Sequence, residues 1–198
     1  MIRVALTGNI ASGKSFVQKV IEMSGFDVLD TDKVGHGLLS SKNSELMKAF
    51  GDENVFDGDG NFDREKLGEL VFNSPEKLNL LNSIIHPQIR KEIEEYFDQQ
   101  KDVPFVFVAI PLLFETGMED LFDKIIIVYA EDEIRLKRLI ARNGYSEDYA
   151  KKRMFSQIPQ EEKFAFVDYI IDNNGSEEEL FDATRKVLEE LFAEITLG

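Results

Sequence analysis

Between Gly8 and Ser15 the chain reads Gly-Asn-Ile-Ala-Ser-Gly-Lys-Ser, the spacing of a loop that wraps around phosphate. Gly8 and Gly13 reach backbone angles that a Cβ resists. The N–H groups of Asn9, Ile10, Ala11 and Ser12 can therefore turn toward anionic oxygens. Lys14 is placed to reach terminal phosphates, and the Ser15 hydroxyl to hold a magnesium ion. A helix running on from Lys14 through Phe16 would aim the positive end of its dipole at the same anion. The ligand implied is a nucleoside triphosphate.

Two further groups could act on that ligand. Asp30-Thr31-Asp32 ends a short apolar run. Acids at the C-terminal end of a strand in an open α/β sheet lie where ligands bind, although Asp32 equally suits the cap of a helix starting near Lys33. Arg135, Arg138 and Arg142 recur at i, i+3 and i+7, opposite Leu136, Leu139 and Ile140. Asn143-Gly144 then turns the chain into a helix capped by Ser146 and carrying Arg153. Such a stripe is ordinarily a solvated face. Lining a helical hairpin in a phosphate-loop fold, it suits a lid that closes on phosphates. Asp57-Gly58-Asp59-Gly60-Asn61 imitates a calcium loop and fails, with Phe62 at the glycine position and Gly68 at the glutamate position.

The elements that must position these groups follow from periodicity. Ile2–Leu6, Phe26–Asp30, Phe105–Ala109, Lys124–Tyr129 and Val167–Asp172 are short apolar runs, the pattern of strands buried in a parallel sheet. Helical spacing joins them, with Gly25 as a stop after Met23. From Val34 to about Gln100 the strand rhythm is lost. Asp63 caps one helix, Ser74-Pro75 opens a second, and Ile85-His86-Pro87 starts a third with Ile89, Ile93, Tyr96 and Phe97 on one face. His86 suits a capping or core position as well as a catalytic one. Asn173-Asn174-Gly175 is a turn, and Ser176 with Glu179 forms a capping box before a final helix burying Leu180, Phe181, Thr184, Leu188, Leu191 and Ile195. The expected architecture is an α/β three-layer phosphate-loop fold, with a five-stranded parallel sheet, a helical substrate-binding insertion and a helical lid. Its core is residues 1–32, 103–134 and 166–198, its insertion 33–102 and its lid 135–165.

Composition narrows the function. The 198 residues carry a net charge of −15, which disfavours a general nucleic-acid binder. There is no cysteine, hence no disulfide or thiolate metal site. No apolar run approaches the ~20 residues of a membrane helix, and no signal core follows Met1. A cytoplasmic chain with no membrane or nucleic-acid partner, as a monomer or small homo-oligomer, is expected.

These motifs, in order, resemble the dephospho-coenzyme A kinase family. Leu6 to Ser15 is similar to its Leu-Thr-Gly-Gly-Ile-Gly-Ser-Gly-Lys-Ser, with Asn9 and Ala11 in place of two inner glycines. Asp30-Thr31-Asp32 matches its Asp-Ala-Asp, and Ile84 to Arg90 its Leu-Leu-His-Pro-x-Ile-Arg. Pro111 to Glu115 matches Pro-Leu-Leu-x-Glu; Arg138, Arg142, Arg153 and Gln157 match its lid pattern; and Asp172 to Gly175 matches Asp-Asn-x-Gly. Phe16 stands where the family usually has a second hydroxyl residue.

The resemblance implies transfer of the γ-phosphoryl of ATP, with Mg2+, to the 3′-hydroxyl of dephospho-coenzyme A. Lys14, Asp32, Arg138 and Arg142 would be catalytic. Residues 8–16 with Asn174 and Gly175 would hold ATP, Ser15 would ligate the metal, and His86, Arg90, Pro111, Leu112, Leu113 and Glu115 would face the acceptor. A nucleoside-monophosphate kinase would share the loop and lid but not the 84–90 and 111–115 segments. A GTPase switch should carry an Asn-Lys-x-Asp motif, which this chain lacks. Ala11 should be tolerated only if that position keeps ordinary backbone angles, since a Cβ penalises positive φ.

Overall fold

A computed structural model describes residues 1–39, 43–57, 61–101 and 103–197, without the side chains of Arg64 and of 195–197. In chain order it comprises β1 (Ile2–Thr7), α1 (Lys14–Met23), β2 (Val28–Asp30), α2 (Thr31–Leu38), α3 (Ser44–Phe50), α4 (Arg64–Phe72) and α5 (Pro75–Gln99). There follow β3 (Phe105–Ala109), α6 (Leu113–Thr116), β4 (Lys124–Tyr129), α7 (Asp132–Asn143), α8 (Glu147–Phe155), α9 (Gln160–Lys163), β5 (Tyr169–Asp172) and α10 (Glu177–Leu197). The chain divides into two compact units, 1–30 with 99–198, and 31–98.

In the first unit all five strands pair in parallel, in the order β2-β3-β1-β4-β5. Successive strands leave β1 on both sides, so its C-terminal end lies at a topological switch point, where such sheets bind ligands. The central strands are apolar along their length because helices cover both faces. Val4, Leu6, Phe107, Ile126 and Val128 are buried with Val17 and Ile21 of α1 and Leu180, Leu188 and Leu191 of α10. A buried Leu, Val or Phe contributes about 1.5–3 kcal/mol. Val187 joins this core and Phe181 is only half-buried, while the side chain of Ile195 lies outside the described residues. The capping box forms: Glu179 accepts from the Ser176 N–H at 2.7 Å, and Ser176 Oγ from the Glu179 N–H at 3.2 Å.

The second unit is helical. Its core gathers Leu46, Phe50, Val55, Phe62, Leu67 and Val71. Asp63 caps α4 by accepting from the N–H groups of Glu65 and Lys66. The stretch likened to a calcium loop has residues 58–60 outside the described ones. Phe62 beside it is core, its ring 4.8 Å from that of Phe56. Two helices were expected between Ser74 and Gln100; one of 25 residues forms, with Pro87 inside it. Proline removes one backbone N–H from the ladder, and packing on both sides of it, by Ile84 and Ile85 before and Ile93 and Phe97 after, keeps the helix continuous.

His86 in α5 is half-buried, and desolvation lowers its pKa below 6.5. A base whose folded pKa is depressed contributes stability above its unfolded pKa and loses it as pH falls through the folded value. The melting temperature is therefore expected to drop between pH 7 and 5, and this part of the drop to vanish in His86→Gln, as calorimetry would show.

Candidate active site

The loop from Gly8 to Gly13 leaves the end of β1 and enters α1, whose first turn contains no acidic residue. The first four N–H groups of a helix lack intrahelical partners, so this end stays electropositive. Gly8 is required by close approach: a Cβ there would lie 2.8 Å from the Val128 carbonyl. Gly13 caps α1 at φ 102°, and a Cβ would collide with the Asn173 amide. Gly13→Ala is accordingly expected to cost about 2–3 kcal/mol, measurable in urea unfolding. A cost under about 0.5 kcal/mol would show that the loop readily re-forms.

The Ala11 expectation fails. Ala11 stands at φ 62°, the one described non-glycine residue with positive φ. Its methyl group packs with Ile10 against Leu139, Ala150 and Met154 of α7 and α8. That contact offsets the strain of the left-handed conformation, of order 1 kcal/mol.

Side chains distant in sequence grip the loop. Gln157 Oε1 accepts from the Ile10 N–H at 2.8 Å, and Arg135 Nη1 donates to the Ile10 carbonyl at 3.2 Å. Asn173 Nδ2 donates to the Ser12 carbonyl at 2.6 Å. Asn9 donates from Nδ2 to the Ile158 carbonyl at 2.9 Å and accepts from Lys163 Nζ at 2.7 Å. Lys163, only 1 % exposed, also pairs with Glu115 Oε1 at 2.9 Å. That same oxygen accepts from the Ile158 N–H at 3.0 Å.

The arginines do not form one solvated stripe. Arg135 is 3 % exposed and paired with Asp132 at 2.6 Å. Arg138 is half-buried, with Nη2 donating to the Asn173 carbonyl at 3.0 Å. Arg142 is exposed beside Asn143, and Arg153 is exposed on α8. Several buried polar atoms near the loop have no partner among the described residues: Thr7 Oγ1, Ser12 Oγ, Glu115 Oε2, Arg135 Nε and Arg138 Nη1. Orphaned groups of this kind mark a place built to receive polar atoms.

The remaining candidates are spread along the sheet edge and the helical unit. Asp30 pairs in register with Ala109, and Ala109 with Leu6. At about 4.8 Å per strand, Asp30 lies about 10 Å from the end of β1. Helix α2 begins at Thr31, so Asp32 is an exposed residue of its first turn rather than the cap before it. Pro111 is half-buried and Leu112 is 41 % exposed, whereas the Leu113 side chain is wholly in the core. Arg90 lies on α5 four residues from Glu94, with Nε 3.4 Å from its carboxylate. Asn174 binds Asp172 through its N–H and Nδ2 and accepts from the Glu131 N–H, closing the turn ahead of exposed Gly175. Lys163 and Asn173 are not singled out for the site by the sequence, and Arg135, read from it as part of the lid stripe, holds the Ile10 carbonyl instead. Lys163 sits among glutamates in Glu161-Glu162-Lys163 and reads as surface charge.

Ser15 is exposed at the start of α1, and no cluster of three metal-ligating side chains exists among the described residues. The Ser15 hydroxyl fits magnesium, which keeps its waters and is bound by few protein oxygens together with substrate phosphates.

A family model for dephospho-CoA kinase matches residues 2–179. The dephospho-CoA kinase of Carboxydothermus hydrogenoformans is 43 % identical over 87 % of this chain and 86 % of its own length. That of Aquifex aeolicus is 40 % identical over 96 % and 98 %. The solved structure of the dephospho-CoA kinase from Campylobacter jejuni superposes with a TM-score of 0.74 at 36 % identity, covering 96 % of each chain. Matched from β1 into α10, and alike in fold as well as sequence, the chain belongs to the dephospho-CoA kinase family.

Proposed function

We propose that this chain transfers the γ-phosphoryl of ATP to the 3′-hydroxyl of dephospho-coenzyme A, giving coenzyme A and ADP, the last step of coenzyme A biosynthesis. It acts in the cytoplasm as a monomer or small homo-oligomer. The observation that carries this is the Gly8–Gly13 loop at the head of a helix with no acidic residue in its first turn, held by Gln157 and Arg135, in a chain of this family.

Residues 8–16 hold the β- and γ-phosphates, with Lys14 following charge onto the leaving oxygen, and Asn174 and Gly175 lie toward adenine. Magnesium, held by Ser15 and the phosphates, supplies charge neutralisation when bound. Asp32 orients the acceptor hydroxyl and takes its proton as the new O–P bond forms and the bond to the ADP oxygen breaks. Such transfer is largely dissociative, so Asp32 contributes by positioning the hydroxyl as well as by accepting its proton. Arg138, with one guanidinium nitrogen buried and unpartnered among the described residues, and exposed Arg142 stabilise the transferring group. His86, Arg90 and the 111–115 segment face the acceptor.

The acceptor is tested by coupled ADP release against dephospho-coenzyme A and a panel of nucleoside monophosphates. Turnover is expected with dephospho-coenzyme A. Turnover on a nucleoside monophosphate alone would overturn the assignment.

A further inference from the structure

The bonds around Lys163 close on themselves. Lys163 Nζ donates to Asn9 Oδ1 and Glu115 Oε1. Asn9 Nδ2 donates to the Ile158 carbonyl, and the Ile158 N–H donates to Glu115 Oε1. The face of Phe114, 5.7 Å from Nζ, takes up a further side of the ammonium. One buried ring thus ties the phosphate loop at Asn9, the segment after β3 at Glu115, and the chain returning from α8 at Ile158.

A buried ion pair is a poor source of stability, because apolar residues of similar volume often serve as well. What a charged ring of hydrogen bonds does supply is fixed geometry. Its members here belong to the loop assigned to ATP and the segment assigned to the acceptor. The second Glu115 oxygen is buried and unpartnered among the described residues, leaving the carboxylate half-used by the protein.

We propose that Lys163 is a positioning residue for phosphoryl transfer. Its ammonium holds the phosphate loop and the Glu115 carboxylate in one register, so that donor and acceptor are presented to each other in line. This rests on the phosphoryl-transfer function proposed above. Misplacement by about 1 Å can cost about 10²-fold in rate.

The test uses the full chain with ATP and dephospho-coenzyme A, below the melting temperature of each variant. It reads ATP affinity, kcat, and the ratio of ADP released to coenzyme A formed. Lys163→Met is expected to lose about 10²-fold in kcat while still binding ATP, with ADP release outrunning coenzyme A formation. A purely structural lysine would lower both products in proportion to the folded fraction and leave the ratio unchanged, which would overturn the proposal.

Should Lys163→Met fail to fold, Lys163→Met/Glu115→Gln is compared with Glu115→Gln, since removing both charges avoids a lone buried carboxylate. A further fall in kcat and a higher ratio in the double variant support the proposal. Equal values in the two folded proteins, or failure of the double variant to fold, overturn it in favour of a structural role. Wild-type protein that phosphorylates another acceptor and not dephospho-coenzyme A would instead remove the function on which the proposal rests, and is read before any variant.

Discussion

Asp32→Asn is expected to slow turnover by about 10²- to 10⁴-fold with little change in ATP affinity. The substitution keeps the shape and one hydrogen-bonding oxygen of the side chain but removes the charge proposed to receive the proton. Asp32 is an exposed residue two positions beyond the end of β2, in the first turn of α2. Asparagine there keeps the volume of the side chain and gives up a favourable dipole interaction of about 0.3–1 kcal/mol. Loss of rate with an intact melting curve is thus the signature expected of a group used in chemistry. Single-turnover measurement at saturating ATP and acceptor separates this from weaker binding. Near-normal turnover would remove Asp32 from the mechanism.

The second large effect is expected at Arg142. An arginine that meets the transferring phosphoryl group is worth about 10³-fold or more in rate. Arg142 is exposed and its Nε donates to the neighbouring Asn143 side chain at 2.8 Å, a local contact that a phosphate can displace. Arg142→Ala should therefore slow phosphoryl transfer steeply while leaving thermal stability within about 0.5 kcal/mol. Arg135 predicts the opposite profile, since it is buried and holds the Ile10 carbonyl and Asp132. Its removal should lower stability by leaving the Ile10 carbonyl without that donor. An unchanged transfer rate in Arg142→Ala would show that Arg142 takes no part in the reaction.

The parts of the fold written in local patterns were legible in advance. The five apolar runs became five parallel strands, and the central three, β1, β3 and β4, are apolar almost throughout because helices bury them on both faces. Asp63, Ser146 and Ser176 each cap the helix that follows, because capping is decided within four residues. What sequence could not order were contacts set by tertiary packing. The continuity of α5 through Pro87 depends on apolar packing on both sides of it. The burial of Arg135 and Lys163 depends on partners more than 100 residues away, Ile10 and Asn9, and nothing in the local charge pattern distinguishes them from surface cations. The positive φ of Ala11 likewise becomes tolerable through its contact with the hydrophobic cluster of α7 and α8.

The central claim is the bond that is made. After incubation of the chain with ATP, magnesium and dephospho-coenzyme A, phosphorus NMR of the product should show one new phosphomonoester coupled to the ribose H3′ proton, formed in step with ADP. ADP released without that phosphomonoester, or a phosphoryl group found on any other position of the acceptor, would contradict the account.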